Sequence, residues 1–104
     1  MILTTGPAVE GRPVERYLDL VTAQAIMGVH IGKDLTAGLR NIVGGRSKSY
    51  EGEVAKAVAE VMEELKAGGE RLGADAILSI DLDYETVGDN MLMVAASGTA
   101  VKLS

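Results

Sequence analysis

The chain has 104 residues, is 47% hydrophobic and carries a formal net charge of −5, with no cysteine, phenylalanine or tryptophan. That length suits one domain with a modest core, and an acidic balance without a basic cluster argues against nucleic acid. The lack of cysteine excludes disulfides, thiolate metal sites and cysteine nucleophiles together, and with no leader-like segment or membrane-length apolar run the expectation is a soluble cytoplasmic protein.

The chain opens with a β-like stretch, Ile2 to Thr5, broken by Gly6-Pro7, and a second turn signal follows at Glu10-Gly11-Arg12-Pro13. Two breaks so close predict a hairpin or a short edge strand that turns back. From Val14 to Ile31 the pattern alternates at first, and later both parities are apolar. Its Thr, Val and Ile content predicts one long strand, or two strands with a bulge near Gln24 or Gly28; a helix over Thr22–Val29 is the alternative. Leu35, Leu39, Ile42 and Val43 then fall at helical spacing, predicting a short helix over Lys33–Val43 that Asp34 or Thr36 caps and Gly44-Gly45 stops.

The segment from Ser49 onward predicts the long helix of the domain. Val54, Val58, Val61, Met62, Leu65 and Leu72 recur three and four residues apart, as one buried face requires. Ser49 is the expected N-cap and Gly73 the expected left-handed C-cap. Gly68 and Gly69 each cost the helix roughly 1 kcal/mol relative to alanine. Burying each large aliphatic side chain returns roughly 1.5–3 kcal/mol, so the helix is expected to run through them.

After it, Ala76, Leu78, Ile80 and Leu82 alternate with Ile77, Ser79, Asp81 and Asp83, the pattern of a half-buried strand. Thr86 to Asn90 reads as a turn. The last strand, Met91 to Leu103, is apolar on both parities, which normally means cover on both faces. No second long helix supplies that cover, so another copy of the chain is expected to do so.

Candidate sites are sparse. Asp81, Asp83 and Glu85 share one strand face, with neighbouring carboxylates roughly 7 Å apart by strand rise. Such oxygens suit a hard cation, and equally a solvated face whose charge blocks edge pairing. His30 is the lone imidazole, too few donors for a soft-metal site in one chain; a ring could converge several copies, and a locally hydrogen-bonded histidine is the plainer reading. Methionine thioethers could serve a soft ion, but filling a core that lacks phenylalanine is the commoner use. The run Gly44-Gly45-Arg46-Ser47-Lys48-Ser49-Tyr50 places cations and hydroxyls before a helix N-terminus, making Arg46, Ser47, Ser49 and Tyr50 anion-site candidates. It lacks the Walker order, and a flexible loop or a subunit contact through Arg46 explains it equally. No triad or acid–base pair stands out.

Several blocks together resemble the YbjQ family, which is labelled heavy-metal-binding. They are Thr4-Thr5, Gly11-Arg12, Tyr17-Leu18-Asp19-Leu20-Val21-Thr22, Asp34, Leu39 to Ser47, Tyr50-Glu51, Leu72-Gly73-Ala74-Asp75-Ala76 and Ser97 to Val101. They span nearly the whole chain in order, so residues 1–104 form one domain of this type. The resemblance implies an α+β subunit whose antiparallel sheet curls around one long helix, in the order β-β-short α-α-β-β, assembling as a homopentameric ring. The functional expectation is a homo-oligomeric module that binds a metal ion or a small anion at subunit interfaces and is not an enzyme. The alternatives are an enzyme whose pocket forms between subunits around Arg46, Tyr50 or His30, and a structural scaffold.

Overall fold

The computed structural model describes residues 1–27, 48–88 and 91–104. Within them the chain forms β1 (Ile2–Leu3), β2 (Val14–Met27), α1 (Lys48–Arg71), β3 (Ala76–Val87) and β4 (Met91–Leu103). The sheet order is β1-β3-β4-β2, with the helix packed mainly across β2 and β4. β4 is antiparallel to both long neighbours, but β1 runs parallel to β3, so the sheet is mixed and not antiparallel throughout. The short helix expected over Lys33–Val43 lies outside the described residues, as does a bulge at Gly28.

The helix forms where its apolar spacing predicts, but its deepest line is narrower than the full stripe. Ala57, Val61, Leu65 and Gly69 succeed one another at four-residue intervals and are all buried, with Val61 and Leu65 essentially inaccessible. Gly69 explains why a glycine sits on that line. A Cβ there would come 2.9 Å from Ile77 Cδ1 and 3.2 Å from Met1 Cε, so the helix approaches β3 and the N-terminus more closely than a side chain permits. The helix starts at Lys48, which puts Ser49 inside the first turn and not ahead of it as a cap.

Its other end closes as expected. Gly73 has φ 76°, its amide donates to the Glu70 carbonyl at 3.0 Å, and the Ala74 amide donates to the Gly69 carbonyl at 3.0 Å. That pair of reversed bonds is a Schellman cap. Leu72 falls beyond the last helical turn and is 39% exposed, so it leaves the buried stripe.

Strand β2 is continuous from Val14 to Met27, which removes the helical alternative for 22–27. Its irregularities fall at Val14/Arg16 and Tyr17/Asp19, well before the expected Gln24. Beyond them the strand alternates: Val21, Ala23 and Met27 are buried under the helix, whereas Leu20, Thr22, Gln24 and Ile26 are exposed on the opposite face.

Strand β3 departs from simple alternation. Its pairing with β4 slips between Leu78 and Asp81, and Ser79 there has φ 53°, a left-handed conformation that costs a non-glycine residue roughly 1–2 kcal/mol. The extra residue changes which parity faces the helix. Ile77 and Ile80 both enter the main core beneath α1, while Ala76 and Leu78 join a second cluster on the far face with Val101 and Leu103. The amides released by the bulge find partners in the N-terminal segment: Ser79 donates to the Gly6 carbonyl at 2.9 Å and Ile80 to the Thr4 carbonyl at 3.1 Å. The Thr4 hydroxyl in turn accepts from the Gly6 amide at 3.0 Å.

The second cluster qualifies the expectation that only a sister chain could cover β4. Val9 and Val14 pack against it, held by the turn in which Arg12 N–H reaches the Val9 carbonyl and Gly11 takes φ 81°. The C-terminal end of β4 is therefore covered from within the chain. From Met91 to Thr99 the same face keeps only partial cover.

Candidate functional site

The partly open outer face of the sheet carries the three acidic candidates of β3. Cross-strand register sets it out in rows from β2 through β4 to β3. Thr22, Ser97 and Asp81 form one row, Gln24, Ala95 and Asp83 the next, and Ile26, Met93 and Glu85 the third. A depression of about 380 Å³ is lined by Thr22, Gln24, Ala95, Ser97 and Asp83 together with Glu64 of α1. Leu20 (72% exposed) and Ile26 (57% exposed) stand on the same face of β2, at either end of Thr22 and Gln24.

Asp81, Asp83 and Glu85 do share one face, since all three lie beyond the bulge and the period of two holds there. A hydrogen bond to Asp81 and the charge of Asp81, with a smaller contribution from Glu85, raise the Asp83 carboxyl above its ordinary range. Like charges so placed favour holding a proton between them. Among the described residues, no three of the His, Cys, Asp and Glu side chains are grouped to hold a metal ion. No buried side-chain nitrogen or oxygen among them lacks a hydrogen-bond partner either.

His30, Arg46 and Ser47 lie outside the described residues, and Ser49 and Tyr50 are described only as backbone in the first turn of α1. Among the expected site residues, the structure brings together the three acids of β3.

Asp75 is a polar centre that sequence reasoning left unexplained. It follows the helix cap directly, and its carboxylate accepts the Leu103 amide at 2.9 Å and Lys102 Nζ at 3.3 Å. Its own amide donates to the Val101 carbonyl at 2.8 Å. The Leu103 amide and the nearby Lys102 and Arg12 charges hold the Asp75 carboxyl below the usual carboxylate range, against a smaller opposing effect of burial. Its role is architectural: it locks the start of β3 to the end of β4. Gly98 is explained in the same way. A Cβ there would lie 2.6 Å from Ile77 Cγ2 and 3.2 Å from the Leu78 carbonyl oxygen, because the bulge presses β3 onto β4.

A family model described as "Putative heavy-metal-binding", the YbjQ model, matches residues 1–104. The chain belongs to the YbjQ family. Two UPF0145 proteins from Caulobacter vibrioides, strains NA1000 / CB15N and ATCC 19089 / CIP 103742 / CB 15, are each 50% identical over 105 residues, spanning 99% of this chain and all of theirs. A crystal structure of a protein of unknown function in the DUF74 family, from Pediococcus pentosaceus ATCC 25745, aligns with a TM-score of 0.62 over 100% of this chain and 98% of that one. At 17% identity it supports the α+β fold alone.

The family's description implies a heavy-metal ion, and the donor chemistry of this YbjQ chain bears on it. Soft ions select thiolate, thioether and imidazole ligands. The sequence offers no cysteine, one histidine and five methionines. The carboxylates of β3 suit hard cations instead.

Proposed function

We propose that this YbjQ-family chain is a non-catalytic, homo-oligomeric binding module, assembling as a ring of five as the family resemblance implies and holding a metal ion or small anion at contacts between copies. The observation that carries the reading is the outer sheet face. Leu20 and Ile26 stand 72% and 57% exposed on it, on the same face as the partly covered Met91, Met93 and Ala95 and the polar Thr22, Gln24 and Ser97. Exposed apolar side chains beside polar groups are common where chains meet, and here Leu20 and Ile26 flank the exposed Thr22 and Gln24. The N-terminal turn shields only the Val101 and Leu103 end, which leaves the central stretch for a sister copy. No helix among the described residues is long and apolar enough to cross a membrane, so a lipid-facing helix does not compete for that surface. A cytoplasmic setting is part of the same proposal.

Native mass spectrometry with a panel of metal ions and small anionic metabolites tests it. The expected result is an assembly that retains a stoichiometric ligand. An assembly that takes up nothing across the panel removes the binding role and leaves a structural one.

A further inference from the structure

The two flanks of the sheet end in open edges of different character. Among the described residues, β2 has a neighbour on one side only, and β3 has no strand beside residues 81–87 on the side away from β4. β1 pairs with Ala76 and Ile77, and the contacts of Gly6 and Thr4 with the Ser79 and Ile80 amides carry that edge no further. Long regular edges invite pairing with another chain, and proteins blunt them with bulges, proline or charge. The first half of β2 is blunted in this way, since both register shifts and Glu15, Arg16 and Asp19 fall there. Over residues 20–27 the strand is regular, uncharged and free of proline. On β3, Asp81, Asp83 and Glu85 guard the edge against a second β3, because like charges directly opposite destabilise a sheet; a neutral strand meets no such penalty.

We propose that residues 20–27 of one copy pair with residues 81–87 of the next, so that the sheet continues from chain to chain. The inference rests on the reading of the chain as a homo-oligomer and names the edges through which copies join. β2 and β3 both run antiparallel to β4, so copies rotated about an axis along the strands meet in parallel. Joining two different edges leaves one of each kind to offer at the ends, the arrangement that closes rings. With strand parity kept, the Thr22 hydroxyl and the Gln24 amide come beside the acids as hydrogen-bond donors. The inner side agrees. α1 lies mainly over β2 and β4, which leaves Tyr84 54% exposed on a groove of about 480 Å³ lined also by Glu51, Val54, Ala55 and Val58. A sister β2 set against β3 brings its own helix to that side and closes the groove.

The chain has no cysteine, so engineered disulfides report the contact without background. Within one chain Gln24 and Asp83 flank Ala95, and Ala25 and Tyr84 flank Val94. Two strand spacings, roughly 9–10 Å, are too long for a disulfide inside a chain. The test uses Gln24→Cys with Asp83→Cys for the outer face and Ala25→Cys with Tyr84→Cys for the inner face. In each pair the β3 cysteine is also moved two residues either way to cover the register. Each variant is oxidised at micromolar concentration and run on a non-reducing gel. The expected result is a ladder of covalently joined chains from one register on each face, with the single-cysteine variants remaining single chains. Joining on one face alone means that faces meet and not edges, and dimers from Gln24→Cys alone mean that two β2 edges pair; either overturns this inference while leaving the module reading intact. Single chains at every register, from a protein that sedimentation shows to be assembled, do the same. A wild-type chain that sediments as a monomer overturns both.

Discussion

Gly98→Ala is the substitution that most sharply examines the junction between β3 and β4. Its new Cβ would sit 2.6 Å from Ile77 Cγ2, 3.1 Å from Ile80 Cγ1 and 3.2 Å from the Leu78 carbonyl oxygen. Relief is hard to find. Ile77 is fully buried, its Cγ2 hangs directly from a β-branched carbon with one favoured rotamer, and the third contact is backbone. Overpacking of this kind costs about 1–3 kcal/mol, so the variant is expected to lose that much stability in urea, read by circular dichroism at one fixed chain concentration. In a domain of this size that corresponds to a fall of roughly 5–20 °C in Tm. Removing the obstructing group supplies the control. Ile77→Ala alone should cost about 2–5 kcal/mol, but Gly98→Ala added to it should cost little more, giving a coupling of at least about 1 kcal/mol. A single Gly98→Ala within ~0.5 kcal/mol of wild type, or strict additivity in the pair, would refute the close approach.

Gly68→Ala should have the opposite sign, because its Cβ meets nothing nearer than Val21 Cγ1 at 3.6 Å; a gain approaching ~1 kcal/mol in urea denaturation is expected from helix propensity. Asp75→Asn should destabilise at neutral pH and flatten acid unfolding. The Asp75 pKa is depressed in the folded chain, so its contribution is present above the unfolded value and lost as pH falls through the folded one. Equal losses at pH 7 and pH 3 would count against that assignment. Asp83→Asn should instead raise Tm at pH 7, since a raised folded pKa marks a carboxylate that is disfavoured when ionised and relieved as pH falls; no change in Tm between wild type and variant would remove the Asp81–Asp83 coupling.

Much of the fold was legible because local pattern and burial agree. The long helix, its run through Gly68-Gly69 and its cap at Gly73 follow from spacing and glycine chemistry alone. The acidic strip was equally readable, since period two persists after Asp81. What escaped were long-range events. Nothing local marks Ser79 as left-handed, yet that one residue sends Ile77 and Ile80 to the same side and splits the core in two. The parallel pairing of β1, with the Ile2 amide on the Asp75 carbonyl and the Thr4 amide on the Ile77 carbonyl, joins segments about 75 residues apart in sequence, and the bulge amides extend it to Thr4 and Gly6. Leu72 kept the helical period and still fell outside the helix, because the cap ends the backbone geometry on which the period relies. Met93 reads as core filling by composition, and only its register with Ile26 and Glu85 places it on the outer face.

The central claim is that the face bearing Leu20, Ile26 and Met93 meets sister chains. Sedimentation velocity of the metal-free protein at micromolar concentration tests it most directly. The predicted result is one species at a multiple of the 10.8 kDa chain mass, five copies in a closed ring. A single sedimenting species at 10.8 kDa that persists as concentration rises would contradict it.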